Sequence, residues 1–349
     1  MRLKNGIFWL AILSLTVGLL GFPEAAAQGA IHGLRVCGTA LIPALFPYFV
    51  LSRLVISRAS LEKLSARADR PMRYFFGVEG GCFPALLSSF LGGYPIGIAT
   101  LVSLYENGVV SRQDAQRAIC FCNNSGPAFF LGVAGGIVLQ SPRAGAALYG
   151  IHILAALTSG ILLASRTPQQ AVLRRQPAPQ ASRSLVRAFP EAVAASCAAL
   201  LQISGLVVFF SVLNSLCDQA GLWRSIDAFP AARGLLGGLL ELSSGILQLA
   251  GPWETRFLAC AFLLGWGGLC VHFQAAGLWT AAGLRPRGYF TEKALHGLFS
   301  LLFAAVYLHP GILSVGILFL FLVFCAFFPL LRKRGLEIRS AVIYNRKKA

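Results

Sequence analysis

Residues Gly311 to Leu331 read GILSVGILFLFLVFCAFFPLL, 21 residues without a charge. At about 1.5 Å per residue such a helix crosses about 30 Å of hydrocarbon, so this stretch is a transmembrane span. Outward from it, similar apolar runs occupy Ile7–Phe22, Val36–Ser57, Ala118–Gln140, Ala144–Ser165, Ala188–Leu216, Phe257–Gly283 and Ala294–His309. The 349-residue chain is 56% hydrophobic and 12% charged, with a mean hydropathy of +0.69, well outside the range of soluble domains. The expectation is an all-α polytopic membrane protein of about eight transmembrane helices, with the lipid bilayer as its first partner.

The formal net charge is +17, a value that invites a nucleic-acid reading through counterion release from phosphates. The basic residues are scattered among loops flanking apolar spans, which is the pattern of membrane orientation and not of a groove-binding face, so no nucleic-acid partner is expected. The nine cysteines all lie in or beside apolar segments. No CxxC occurs and Cys120 and Cys122 are the closest pair, so they read as buried inert thiols with no metal site. Nucleophile elbow, phosphate loop, HExxH and paired-carboxylate patterns do not occur, which points away from an enzyme and away from a cofactor.

Arg2, Lys4, an apolar run and Ala25-Ala26-Ala27 have the form of a secretory signal. The reading preferred here is a signal anchor that stays, followed by a short interfacial helix from Pro23 to Arg35. With the N-terminus in the cytoplasm, and with Tyr74–Tyr105 and Arg233–Gly251 taken as re-entrant hairpins, 25 basic residues fall inside and five outside (Arg35, Arg143, Arg224, Arg233 and Arg256). That asymmetry has the sense of the positive-inside rule, which also guided the choice of the hairpins. Both termini are then cytoplasmic, and the protein is multi-pass in the cell membrane.

The stretch Arg166–Ser184, RTPQQAVLRRQPAPQASRS, has several prolines and no apolar run, and reads as a cytoplasmic linker. It separates two halves that each read as span, polar-glycine hairpin, glycine-broken span, span. The first starts from outside and the second from inside, which is the layout of inverted repeats in secondary transporters. The expected organisation is residues 1–35 as anchor and interfacial helix, 36–165 and 188–309 as the two repeats, 166–187 as linker, 310–331 as the last span and 332–349 as a basic tail.

Four polar interruptions carry the candidate chemistry. In the first half, Gly92-Gly93-Tyr94-Pro95-Ile96-Gly97 would break a helix at membrane depth, leaving backbone groups that only a polar cavity or a bound solute satisfies. Cys122-Asn123-Asn124-Ser125-Gly126-Pro127 follows, with two adjacent amides offering four N–H donors and two acceptors for a ligand or for neighbouring helices. Between them, Ser111 and Asp114 have the spacing of a capping box that starts a helix.

In the second half, Glu241-Leu242-Ser243-Ser244-Gly245 is followed by Gly265-Trp266-Gly267-Gly268-Leu269-Cys270-Val271-His272-Phe273-Gln274. Glu241 is an acid in the interior of a membrane hairpin, and two roles fit it: a coupling-ion or proton site, or a lock on backbone N–H groups. His272 and Gln274 are two apart and point to different faces. No i+4 partner suggests zinc, and a satisfied buried histidine is the plainer reading of His272. The substrate-binding candidates are therefore Gly92, Gly93, Tyr94, Asn123, Asn124, Ser125, Glu241, Ser243, Ser244, Gly267, Gly268, His272 and Gln274.

Together GGYPIG, YENGVVS, CNNSGP, ELSSG and GWGGLCVHFQ, in this order and spacing and with LIPALFPYFVL at Leu41–Leu51, resemble the YlbJ-type sporulation integral membrane proteins. The resemblance covers roughly Phe22 to His309. It implies two gate or nucleoside-recognition domains, distantly similar to concentrative nucleoside transporters. It also implies transport of dipicolinate from the mother cell across the outer forespore membrane. Dipicolinate, a pyridine flanked by two carboxylates, would suit helix N-termini, amide donors and an aromatic face such as Tyr94 or Trp266. No arginine lies in either hairpin core, so neutralising a dianion falls to dipoles, amides or a coupling ion. A carrier of a nucleoside or another solute, and a non-transporting membrane protein needed for spore envelope or cortex assembly, stay open, as does an oligomeric state.

Overall fold

The structure, a computed structural model, describes residues 2–58, 61–164, 185–223, 229 and 231–346, and among them it contains helices and no strand. The linker expected at 166–184 and the outward Arg224 lie outside the described residues. Among the described residues, four helices are long and apolar enough to cross a membrane: Pro142–Leu162, Val186–Gln219, Trp253–Ala281 and Ile312–Pro329. Two bent pairs, Pro23–Leu41 with Leu45–Leu51 and Lys63–Phe76 with Gly80–Gly92, raise the number to six. The protein is an all-α polytopic membrane protein. The sequence reading reaches eight because it leaves out the second bent pair and counts in addition Ala118–Gln140, Ala294–His309 and Ile7–Phe22, where the apolar helix is the shorter Ile12–Gly21.

The N-terminal part holds α1 (Arg2–Gly21), α2 (Pro23–Val36) and α3 (Ile42–Arg58), with a π-helical turn Cys37–Leu41 between the last two. Pro23–Arg35, expected as an interfacial helix, forms α2, and α2 packs along the long α9 (Leu185–Gln219). Gly29 and Gly33 face that contact; a Cβ on Gly29 would stand 2.8 Å from the Val212 Cα. This is the small-xxx-small route to close helix approach.

After α4 (Leu61–Pro71) and a left-handed Gly77, α5 (Phe83–Gly92) and α6 (Ile96–Glu106) pack side by side as a hairpin. The hairpin is thus shorter than Tyr74–Tyr105, because Tyr74–Phe76 still continue α4 as a π-helical turn. Ser111 caps α7 (Arg112–Phe121) by accepting from Asp114 N at 3.0 Å, as the capping spacing requires. The other half of the box is replaced: Ser111 N donates to Glu79 Oε1 and Glu79 N donates to Asp114 Oδ2. Residues 122–126 are not helical, and the span resumes at Pro127 and continues as a π-helix at Phe129–Val138 before α8 (Pro142–Leu162).

The second half repeats the plan. α10 (Ala232–Leu240) and α11 (Leu242–Leu247) form a hairpin turning at Glu241. α12 (Trp253–Trp266) and α13 (Gly268–Ala281) form a span interrupted at Gly267, and α14 (Tyr289–Leu308) and α15 (Ile312–Arg346) follow. The two broken spans run in opposite directions. Arg112 at the start of α7 donates to Gly283 O beyond the end of α13, while Trp253 and Arg256 at the start of α12 donate to Leu139 O and Val138 O. On α15 the apolar side chains Ile312, Leu313, Phe319 and Leu320 face outward, as a lipid-contacting helix requires.

Candidate functional site

Each hairpin tip rests on the helix break of its own half. At the first tip Gly93 adopts φ +77, and a Cβ there would meet Gly126 N at 2.6 Å, so the turn needs a residue that tolerates the left-handed region and lacks a side chain. At the second tip Glu241 is extended, and its carboxylate accepts from Ser243 N at 2.9 Å and Ser244 N at 2.6 Å. Beside it Gly268, at φ +76, would bring a Cβ 2.9 Å from Gly238 O. Of the two roles open to Glu241, the backbone lock is the one with hydrogen bonds in place.

Aromatic side chains satisfy carbonyls that the breaks release. Tyr149 on α8 donates to Phe90 O at 2.7 Å, Trp266 Nε1 to Leu239 O at 3.5 Å, and Tyr94 to Leu264 O at 3.1 Å. The Tyr94 bond joins the tip of the first hairpin to the broken span of the second half. Between the halves these elements line a narrow cavity of ≈ 50 Å³.

Of the candidates, Gly92, Gly93, Tyr94, Ser125, Glu241, Ser243 and Gln274 line this cavity, together with an apolar wall that includes Phe49 and Val207. The other six do not. Asn124 donates to Ser89 Oγ and Phe121 O, both at 2.9 Å, so its amide holds the break against the first hairpin. Asn123 donates to Tyr289 Oη at 2.6 Å, and that hydroxyl also lies 3.0 Å from His272 Nδ1. Ser244 pairs with Ser211 at 3.2 Å and lines a separate, polar cavity of ≈ 370 Å³ near Arg35, Asp218 and Arg233. Gly267 and Gly268 shape the break without reaching the cavity. Trp266 stacks edge-on against His272 at 4.6 Å and stays off the cavity wall, where Tyr94, Phe49 and Phe129 are the aromatic groups.

Sequence reasoning missed the network behind the first break. Lys293, counted with the cytoplasmic loop charges, is fully buried in the first turns of α14, which leaves the sense of the charge asymmetry unchanged. Its Nζ donates to Asn123 O at 2.8 Å and to His296 Nδ1 at 3.0 Å. His296 Nε2 then donates to His152 O at 3.1 Å, and Ser125 N donates to His152 Nε2 at 3.2 Å. Glu292 accepts from Ser159 at 2.7 Å. The adjacent polar pair Glu292-Lys293 at the head of an apolar run was the one visible signal. Hydropathy assigns such a pair to a loop, whereas here the segment before α14 lies against α7, with Cys120 Sγ 3.7 Å from Arg287 O.

This geometry defines a membrane protein with two opposed hairpins and two opposed broken spans around one narrow cavity. No family model and no solved structure matches the chain. The chain is similar to the Sporulation integral membrane protein YlbJ of Bacillus subtilis (strain 168), at 26% identity over 332 residues, covering 85% of this chain and 81% of that protein. The resemblance carried by the motifs thus extends over most of both chains.

Proposed function

We propose that the protein is a carrier of a small polar anion that acts in sporulation, with dipicolinate moved out of the mother cell across the outer forespore membrane as its solute. The observation that supports this reading is the convergence of both hairpin tips, the first helix break and the start of α13 on one cavity. Broken helices cost unpaired backbone groups, and pairs of them facing each other are how transporters build a site between two moving halves. The similarity to a sporulation protein supplies the setting.

The cavity walls suit such a solute. Gln274 Nε2 is buried there without a protein partner, and the N-terminal turn of α13 presents Cys270 and Val271 to the same space. Helix N-termini and amide donors favour carboxylates. Lys293, bonded to the break that carries Ser125, provides the positive charge that the hairpin cores lack. At ≈ 50 Å³ the space is too tight for a pyridine dicarboxylate, so the tips must part to admit one. Both termini lie in the cytoplasm in this reading, and no chemical conversion of the solute is involved.

The test is dipicolinate flux into proteoliposomes containing the full chain, with nucleosides and inorganic anions as competitors. Saturable dipicolinate uptake, reduced by Gln274→Ala with Ser243→Ala, is the expected result. Uptake that nucleosides suppress and dipicolinate does not would assign another solute, and no uptake of any of them would make the protein a membrane scaffold.

A further inference from the structure

Four ionisable side chains with almost no exposed surface gather where α8, α14 and the first break pack together: His152, Glu292, Lys293 and His296. Removing a charge from water costs several kcal/mol, so acids and bases inside membranes persist where they pair with one another or exchange protons. Glu292 Oε1 accepts from Ser159, while Oε2 has no protein partner. The contrast with Glu241 is direct, since both of its oxygens are committed to the hairpin backbone.

The cluster is wired to the cavity. Lys293 donates to His296, His296 to His152, and the Ser125 N–H to His152, with Ser125 itself on the cavity wall. Because Ser125 N occupies Nε2 of His152, that imidazole carries its proton on Nδ1, an atom with no partner. Among the described residues, the ionisable groups within electrostatic reach of Glu292 are Lys293 and Tyr289 on its own helix, Cys120 from α7 and Cys122 just beyond it, and Tyr94 from the first hairpin; among them none comes from α12 or α15.

We propose that Glu292 is the proton-binding site that ties anion movement to a proton gradient, with Lys293 relaying the proton's charge to the solute site. This rests on the anion-carrier reading and adds its coupling ion. With Glu292 ionised, the Lys293 ammonium is balanced. A proton taken from water on the proton-rich side forms an O–H bond at Glu292 Oε2, and the Lys293 charge behind the break is then uncompensated and favours an anion in the cavity. Loss of that proton to water on the other side breaks the O–H bond, restores the balance and releases the anion. Proton and anion therefore raise each other's affinity by the same factor.

Two measurements on the purified full chain test this. Calorimetric binding of dipicolinate, over the pH range in which dipicolinate stays a dianion, is expected to weaken as pH rises in the wild type. Glu292→Gln should keep the tight binding at every pH, and Lys293→Gln should bind weakly throughout. Infrared pH-difference spectra without solute should show a titrating carboxyl band that vanishes in Glu292→Gln and returns in Glu292→Asp. Wild-type pH dependence in Glu292→Gln, or identical titrating bands in both proteins, would overturn the proposal. A wild type that binds no dipicolinate would sink the carrier reading alone, and the infrared result would still decide the proton site.

Discussion

The two hairpin tips reach the same place by different chemistry. The first turns through Gly93 and Pro95 and is held by steric fit, backbone against backbone, at Gly126. The second turns at Glu241 and is held by a carboxylate gripping two N–H groups. A glycine turn tolerates no added atom but is indifferent to charge. A carboxylate cap tolerates neighbouring volume but depends on an acceptor. Two halves therefore need not share residues where they share geometry.

Substitutions should separate the two modes. The largest effect is expected from Gly93→Val, where both the left-handed backbone and the contact with Gly126 N are violated, at a cost of about 3 kcal/mol read as thermal stability in detergent. Glu241→Ala should follow at about 2 kcal/mol, because Ser243 N and Ser244 N lose their acceptor inside the protein, with Glu241→Gln milder because its amide oxygen still accepts. Tyr94→Phe removes only the 3.1 Å bond to Leu264 O and should cost about 1 kcal/mol in the same assay. Trp266→Phe, which gives up a 3.5 Å bond to Leu239 O, should fall below about 0.5 kcal/mol. If Gly93→Val and Glu241→Ala were equally mild, the tips would not be the fixed points of the fold.

Hydropathy and the positions of glycine and proline made the helical membrane fold and the four breaks legible in the sequence, because a break at membrane depth must be written in residues that permit it. The partners of the break residues were less legible. Asn123 and Asn124 read as ligand groups, yet a broken helix needs donors for its own carbonyls, and Asn124 bonds Phe121 O. Glu292, Lys293 and His296 were hidden because their burial depends on α8 and α7 lying across α14, a long-range fact that a hydropathy window does not contain.

The central claim is that the space between the two tips is a solute site reached in turn from each side. Its most direct test is Ser243→Cys in a chain with the native cysteines replaced, labelled in sealed vesicles by an impermeant maleimide applied from either side. The account predicts labelling from both sides, suppressed by dipicolinate. Labelling from one side only, unchanged by dipicolinate, would contradict it.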